Sequence, residues 1–447
     1  MTARPAPTGA LHARTVPLEY GPDALEFDGS PTVLFDRPGL TLVGWGTALL
    51  VPATQAAAAL AAIPCDDTVD TLGSGPVALG ALPFDDTFAG HLVVPRVTLG
   101  TTRDLDGVTR RWATAIGPAD VALPSTHELF DAVIWQYGST SQPDVPHDAE
   151  VVELTTAMTA SGYAAMVGDA VAVMARPDAT LRKVVLSRPV EVRLRGRLGL
   201  SAVLRRLREG EPNCTIFSMP VPRGSFVGAS PELLVERRGD RFRSRPLAGT
   251  TDRVHGADST LPAALLDSTK DAEEHRLVVD AIHDALAPLS DELHVPENPE
   301  LVHLHNITHL GTTIEGTLRS GDDGGLPSVL QLVALLHPTP AVGGVPREAA
   351  LDLIGRLEDG SRGHYAGPVG WIDGTGDGRF VVGIRAMTVT GDSVALTAGV
   401  GIVSGSRPEV ELRETGLKFS AVFDALAPGV TFATFTVPGA AGPAVDG

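Results

Sequence analysis

An α+β fold is predicted for this chain of 447 residues, on three observations. Helix-like and strand-like stretches are interleaved without the regular strand–helix–strand beat of a doubly wound sheet. Many of the strand-like stretches are short, rich in β-branched residues and punctuated by Gly or Pro, as in TLVGWGTALLV and HLVVPRVTLG. Length and composition supply the third, since 447 residues with 43% hydrophobic and 20% charged suffice for one large α/β or α+β domain with a substantial core, or for two or three average domains.

The opening MTARPAPTGALHART has Pro and Gly where a signal peptide needs an unbroken apolar run, so residues 1–15 are expected to be a loose tail. Residues 16–147 are expected to form the N-terminal β-rich part of the fold. VALGALPFDD adds a strand there, and ATQAAAALAAI a helix. The stretch near 118–148, rich in Pro, Ser and Asp, reads as a linker or a long surface excursion.

Residues 148–430 differ in texture. DAEVVELTTAMTASGYAAMVGDAVAVMARP reads as helical, and the strand LRKVVLSRPV follows it directly. SAVLRRLREG is a short helix ended by Gly210. CTIFSMPV and GSFVGASPELLVERRGDRFRSRPLAGT are strands, with a hairpin turn at RGDR. STKDAEEHRLVVDAIHDALAPL is an amphipathic helix with Leu277, Ile282 and Leu286 among its apolar positions. GPVGWIDGTGDGRFVVGIRAMTVTGDSVALTAGVGIV reads as a meander with DGTGDGR and TGDS turns. A last helix carries ELRETGLKFSAVFDAL, and residues 431–447 form a C-terminal tail.

Several function classes are disfavoured. The formal charge of -19 argues against nucleic acid, which rewards basic surfaces. No apolar run reaches the roughly 18 residues that cross a membrane, so a cytoplasmic location is the default expectation. Cys65 and Cys214 have no CxxC spacing and are expected to be buried, reduced thiols. No GxxxxGK[ST] occurs, and the glycines of GTGDGR lie between strands with no helix to follow, so no nucleotide site is expected. His303, His305 and His309 alternate as in a strand or loop, with no acid or cysteine neighbour to complete a transition-metal site.

Lys183 is built into the start of an apolar strand, where alternation places it on the side of Val185 and Ser187. An ammonium there must reach water, pair with an acid or lose its proton. Glu411 and Glu414, three apart, share one helix face, and Lys418 lies four beyond Glu414. Glu273 and Glu274 form a second acidic cluster on another helix. If the two helices converge, such hard oxygen ligands suit Mg²⁺ better than zinc.

Taken together, KVVLSR at Lys183, GASPELL, PLAGT, KDAEEH, LHPTPAVGGVP, GHYAGPVGW, GIRA, AGVGIV and ELRETGLK resemble the signatures of the chorismate-utilising enzymes, the anthranilate synthase component I-like family. They occur in the family's order over roughly residues 150 to 427, and GALPFDD near residue 80 resembles its N-terminal motif. The isochorismate synthases are the nearest branch. The resemblance implies two β-sheets packed as a sandwich with flanking helices, acting on chorismate with Mg²⁺. It implies Lys183 as general base and Glu232 as general acid for adding water at C2 with loss of the C4 hydroxyl. It implies Glu274 and Glu414 as metal ligands, with Glu411 as an outer or water-mediated partner. Arg385, Tyr365, the amides around Gly399 and Gly401, Lys418, Gly249, Thr250 and Thr339 match substrate-binding positions. Val400 stands where many members have alanine, and its bulk is expected to narrow the pocket.

Within the family, Lys183 argues against anthranilate synthases, which use ammonia from a glutaminase partner. Ala248 replaces the lysine that resembles the aminodeoxychorismate synthases' PIKGT loop. HPTPAVGG favours an isochorismate synthase over a salicylate synthase, which goes on to eliminate pyruvate. An inactive binding homologue is disfavoured because no implied catalytic residue is replaced. A monomer without a glutaminase subunit is the expected state.

Overall fold

The computed structural model describes residues 10–19, 31–103, 107–123, 125, 128, 149–156, 158–196, 198–252, 261–321, 324–358, 360–430 and 432. Among them, two large sheets of thirteen and nine strands pack face to face, and a three-stranded sheet lies beside them. Between the large sheets, Phe35, Leu42 and Phe217 of the first meet Leu79, Trp371 and Val381 of the second, with every one of these side chains buried. The α+β sandwich expected from the sequence is therefore present. The third sheet, Leu247–Asp252, Glu300–His303 and Ile307–Gly311, is an addition to it.

Helices cover the outer faces. Leu200–Gly210 and Pro408–Leu426 bring Leu204, Leu207, Phe419 and Phe423 onto the larger sheet. Thr269–Leu286 and Val329–Leu336 bring Val278, Ile282, Leu332 and Leu336 onto the smaller one. Their starts are set locally: Ser268 accepts the Asp271 N–H, and Ser328 and Gln331 form a reciprocal capping box.

Four expectations change. Residues 11–15, expected in a loose tail, belong to the strand Leu11–Pro17, which pairs with Thr109–Pro118. Residues 150–155, expected to be helical, form the strand Glu150–Thr155, because its alternating VVELT pairs with the far end of the Lys183 strand. The helix begins only at Ala160, where Thr159 caps the Gly162 N–H at 3.0 Å. Cys214 is buried as expected, whereas Cys65 is half-buried; both are free. Most of 118–148 and the two termini lie outside the described residues.

The fourth change positions the site. The C-terminal meander is two hairpins in different sheets: Pro368–Asp373 with Gly378–Val382 in the smaller, then Ala386–Thr390 with Ser393–Ile402 in the larger. The chain switches sheets the other way between Gly224–Ser230 and Leu233–Arg238. The two crossings are bonded to each other. Val382 N–H donates to the Glu232 carbonyl at 3.0 Å, Ala229 N–H to the Arg385 carbonyl at 3.0 Å, and the Ser230 hydroxyl to the Val382 carbonyl at 2.6 Å. Strands that change sheets must bend, and Arg385 absorbs the bend at φ +51°, a region that side chains other than glycine rarely occupy. Among the described residues no helix is long and apolar enough to cross a membrane.

Candidate active site

The two crossings, the Lys183 strand, the three-stranded sheet and the helices bearing Glu274 and Glu414 enclose one cavity. Its lining includes Glu232, Gly249, Thr250, Glu274, Tyr365, Arg385, Gly399, Gly401, Glu414 and Lys418, all singled out from sequence, together with His309, Val185, Ala341, Val342 and Ile384.

Lys183 begins the strand Lys183–Arg195 and is 1% exposed. It meets an acid: its Nζ lies 3.0 Å from Glu274 Oε1. Glu274 lines the cavity, and Lys183 stands one contact behind it. The neighbouring strand is glycine at the facing positions for a steric reason. A Cβ on Gly401 would lie 2.3 Å from Glu274 Oε1 and 2.9 Å from Lys183 Cε, and one on Gly399 would lie 3.0 Å from the Tyr365 hydroxyl. Val400 sits between them, opposite Leu186, so alternation turns its side chain to the other face. The expected narrowing of the cavity by Val400 does not occur.

Glu232 is 3% exposed, and burial raises its carboxyl to about 8 against the opposing pull of Lys183, the Leu247 N–H, Lys418 and Arg385. It therefore keeps its proton at neutral pH. Arg385 is buried, which lowers its guanidinium from the usual value. Its Nη2 donates to His309 Nε2 at 3.0 Å, and its Nη1 has no hydrogen-bond partner, leaving a free donor at the cavity wall. Burial also pushes the Tyr365 hydroxyl up to about 12.

His309 was not expected in the site. Its Nδ1 lies 3.0 Å from the Gly249 carbonyl, which can only accept, so Nδ1 carries the proton and Nε2 accepts from Arg385. Burial, with Arg385 and Lys418 nearby, lowers its imidazole to about 3, so the ring is neutral. A bulge between Ala248 and Thr250, with Gly249 at φ +73°, turns that carbonyl toward the ring. The sequence carried one signal for this histidine, its place inside the apolar run ITHLG; all five of those residues are buried. Thr339, in contrast, does not line the cavity, and its buried hydroxyl has no partner.

The three carboxylates expected to hold a metal each face a lysine: Glu274 with Lys183, Glu411 with Lys270 at 3.0 Å, and Glu414 with Lys418 at 2.7 Å. Lys418 also donates to the Gly399 carbonyl at 2.9 Å. Burial raises Glu411, and Glu414 adds to the rise. Burial likewise raises Asp271, with Glu274 and Glu414 as like charges. For Glu414 burial acts upward too, but Lys418, Thr250 and His309 outweigh it and hold the carboxylate below its usual value. A cluster of buried anions neutralised by ammonium groups has the hard-oxygen chemistry that Mg²⁺ takes. Among the described residues no group of three acid, histidine or cysteine side chains is placed to hold a metal ion.

A family model described as chorismate binding enzyme matches residues 52–427. The chain is 37% identical over 366 residues to the putative isochorismate synthase MenF of Mycobacterium tuberculosis, covering 79% of this chain and 87% of that protein. It is 37% identical over 365 residues to the isochorismate synthase DhbC of Bacillus subtilis, covering 79% and 81%. The solved menaquinone-specific isochorismate synthase MenF of Escherichia coli superposes with a TM-score of 0.78 at 25% identity, over 94% of this chain and 95% of that one. The chain belongs to the chorismate binding enzyme family.

Proposed function

We propose that the chain is an isochorismate synthase, converting chorismate reversibly to isochorismate by adding water at C2 and expelling the C4 hydroxyl. The observation that carries this reading is a cavity whose wall holds Glu232, a carboxyl that stays protonated near neutral pH, with the buried Lys183 directly behind Glu274. Water must lose a proton as it attacks, and the C4 hydroxyl leaves only when it gains one, so a base and an acid are both needed.

Lys183 is the base, a role that a lysine fills only in its neutral form, and its Nζ lies 3.0 Å from Glu274 Oε1. Glu232 is the acid and donates to the departing hydroxyl. Arg385, oriented by His309, presents its free Nη1 to a substrate carboxylate. Tyr365, Lys418, Thr250 and the Gly249, Gly399 and Gly401 backbone complete the binding wall. Glu274 and Glu414 would hold Mg²⁺, with Glu411 behind them; the ion would fix the ring carboxylate and draw electron density from the ring.

Water as the nucleophile removes the need for a glutaminase subunit, and the same reading takes the enzyme as a monomer in the cytoplasm. Sedimentation as a stable dimer would contradict the monomer. The activity is tested by incubating pure protein with chorismate and Mg²⁺ and following ring products and pyruvate. Isochorismate without pyruvate is expected; salicylate with matching pyruvate would make it a salicylate synthase, and no turnover would leave a binding homologue.

A further inference from the structure

The Lys183 strand is paired along one edge with Ser393–Ile402 from Val184 to Arg193. On its other edge, strand partners cover only Lys183–Val184 and Glu191–Arg195. An uncovered edge in a buried strand leaves backbone groups that must find partners elsewhere. The Val185 N–H donates to the Gly343 carbonyl at 2.8 Å, and side chains supply others. Arg362 Nη2 donates to the Val185 carbonyl at 2.7 Å, Glu358 Oε1 accepts the Ser187 N–H at 2.7 Å, and the Thr156 hydroxyl donates to the Pro189 carbonyl at 3.0 Å. Pro189 has no N–H to satisfy.

Glu358 and Arg362 are themselves a buried fork, with Nη2 to Oε1 at 2.6 Å and Nε to Oε2 at 2.8 Å. Arg362 Nη1 donates to the Val342 carbonyl at 2.7 Å, and the guanidinium lies 4.6 Å from the centre of the Phe84 ring. Val185 and Val342 line the cavity, and Tyr365 lies one turn beyond Arg362, its N–H donating to the Arg362 carbonyl at 3.1 Å. The GALPFDD motif thereby gains a role, since its Phe84 carries the guanidinium.

We propose that Glu358 and Arg362 are positioning residues for the reaction. Together they stand in for a missing neighbouring strand and fix the Val185 segment, hence Lys183, against the walls formed by Val342 and Tyr365. The inference rests on the reading of the site as an isochorismate synthase. A planar guanidinium with donors in three directions is required, so lysine does not replace Arg362.

The test compares purified wild type with Arg362→Lys, Arg362→Ala and Glu358→Gln, measuring kcat and KM for chorismate beside thermal unfolding. Folded variants are expected to lose about 30-fold or more in kcat, because a small displacement of a reacting group is costly, while KM moves less. Added guanidinium at low concentration is expected to restore part of the kcat of Arg362→Ala and nothing in a Lys183 variant. A folded variant with kcat within about threefold of wild type overturns the proposal. If wild type does not turn chorismate over, the proposed activity fails, and amide exchange decides the positioning claim separately. Exchange at Val185 and Ser187 about tenfold faster in Arg362→Lys supports it, and unchanged exchange overturns it.

Discussion

Lys183 Nζ and Glu274 Oε1 lie 3.0 Å apart, with side-chain exposures of 1% and 11%, so the ammonium built into an apolar strand is compensated by a carboxylate from a different element. Removing one partner of such a pair costs about 3–5 kcal/mol, whereas replacing both by neutral groups is close to neutral. Lys183→Ala is therefore expected to lose stability, and Lys183→Met with Glu274→Gln to recover it. Neither regains activity if Lys183 is the base; the loss is about 10²–10⁴-fold in kcat, with chorismate still binding. Full activity in the lysine variant would remove the assignment.

Glu232 gives a pH dependence with a definite sign. Its carboxyl titrates at about 8 in the fold and at the ordinary 4.5 when unfolded, so the native state binds more protons between those values. Its contribution to stability is whole below about pH 4.5 and is lost as pH rises through about 8, on the order of a few kcal/mol. Activity should fall above about pH 8 as the acid loses its proton. Glu232→Gln is expected to flatten the stability profile over that window and to lower kcat more than it alters KM. An unchanged unfolding profile would contradict the burial account.

Glu414 pairs with Lys418 at 2.7 Å and lines the cavity. If it is also a metal ligand, Glu414→Gln should weaken Mg²⁺ binding by about tenfold or more in calorimetry and lower activity together with it. Unaltered Mg²⁺ affinity would place the ion elsewhere.

Gly401→Ala is a steric probe. The added methyl would lie 2.3 Å from Glu274 Oε1 and 2.9 Å from Lys183 Cε. Overpacking of that kind costs about 1–3 kcal/mol, and the displaced pair should lower kcat. Thermal unfolding and kinetics equal to wild type would mean that the pair is free to move aside.

Much of this site was legible in the sequence because its ordered motifs resemble those of the chorismate-utilising enzymes, while local periodicity placed only a few of its residues. Lys183 on an alternating strand and Glu411 with Glu414 on one helix face follow from periodicity alone. What could not be read depends on long-range placement. Nothing near His309 announces that it will orient Arg385, since the two are 76 residues apart and meet only in the folded chain. The carboxylate–lysine pairs likewise join elements far apart in the chain, as in Lys270 with Glu411. The C-terminal meander was visible as strands, but its change of sheet at Arg385 was not, because each hairpin looks the same locally. Val400 lies between the pocket glycines in sequence, but alternation along the strand turns its side chain away.

The most direct test of the central claim is to run the reaction with chorismate and Mg²⁺ in ¹⁸O-labelled water, stop it early, and weigh the product. Water addition at C2 with loss of the original C4 hydroxyl predicts isochorismate carrying one solvent oxygen and no released pyruvate. Unlabelled isochorismate would mean that the hydroxyl migrates without water, and would contradict the roles given to Lys183 and Glu232.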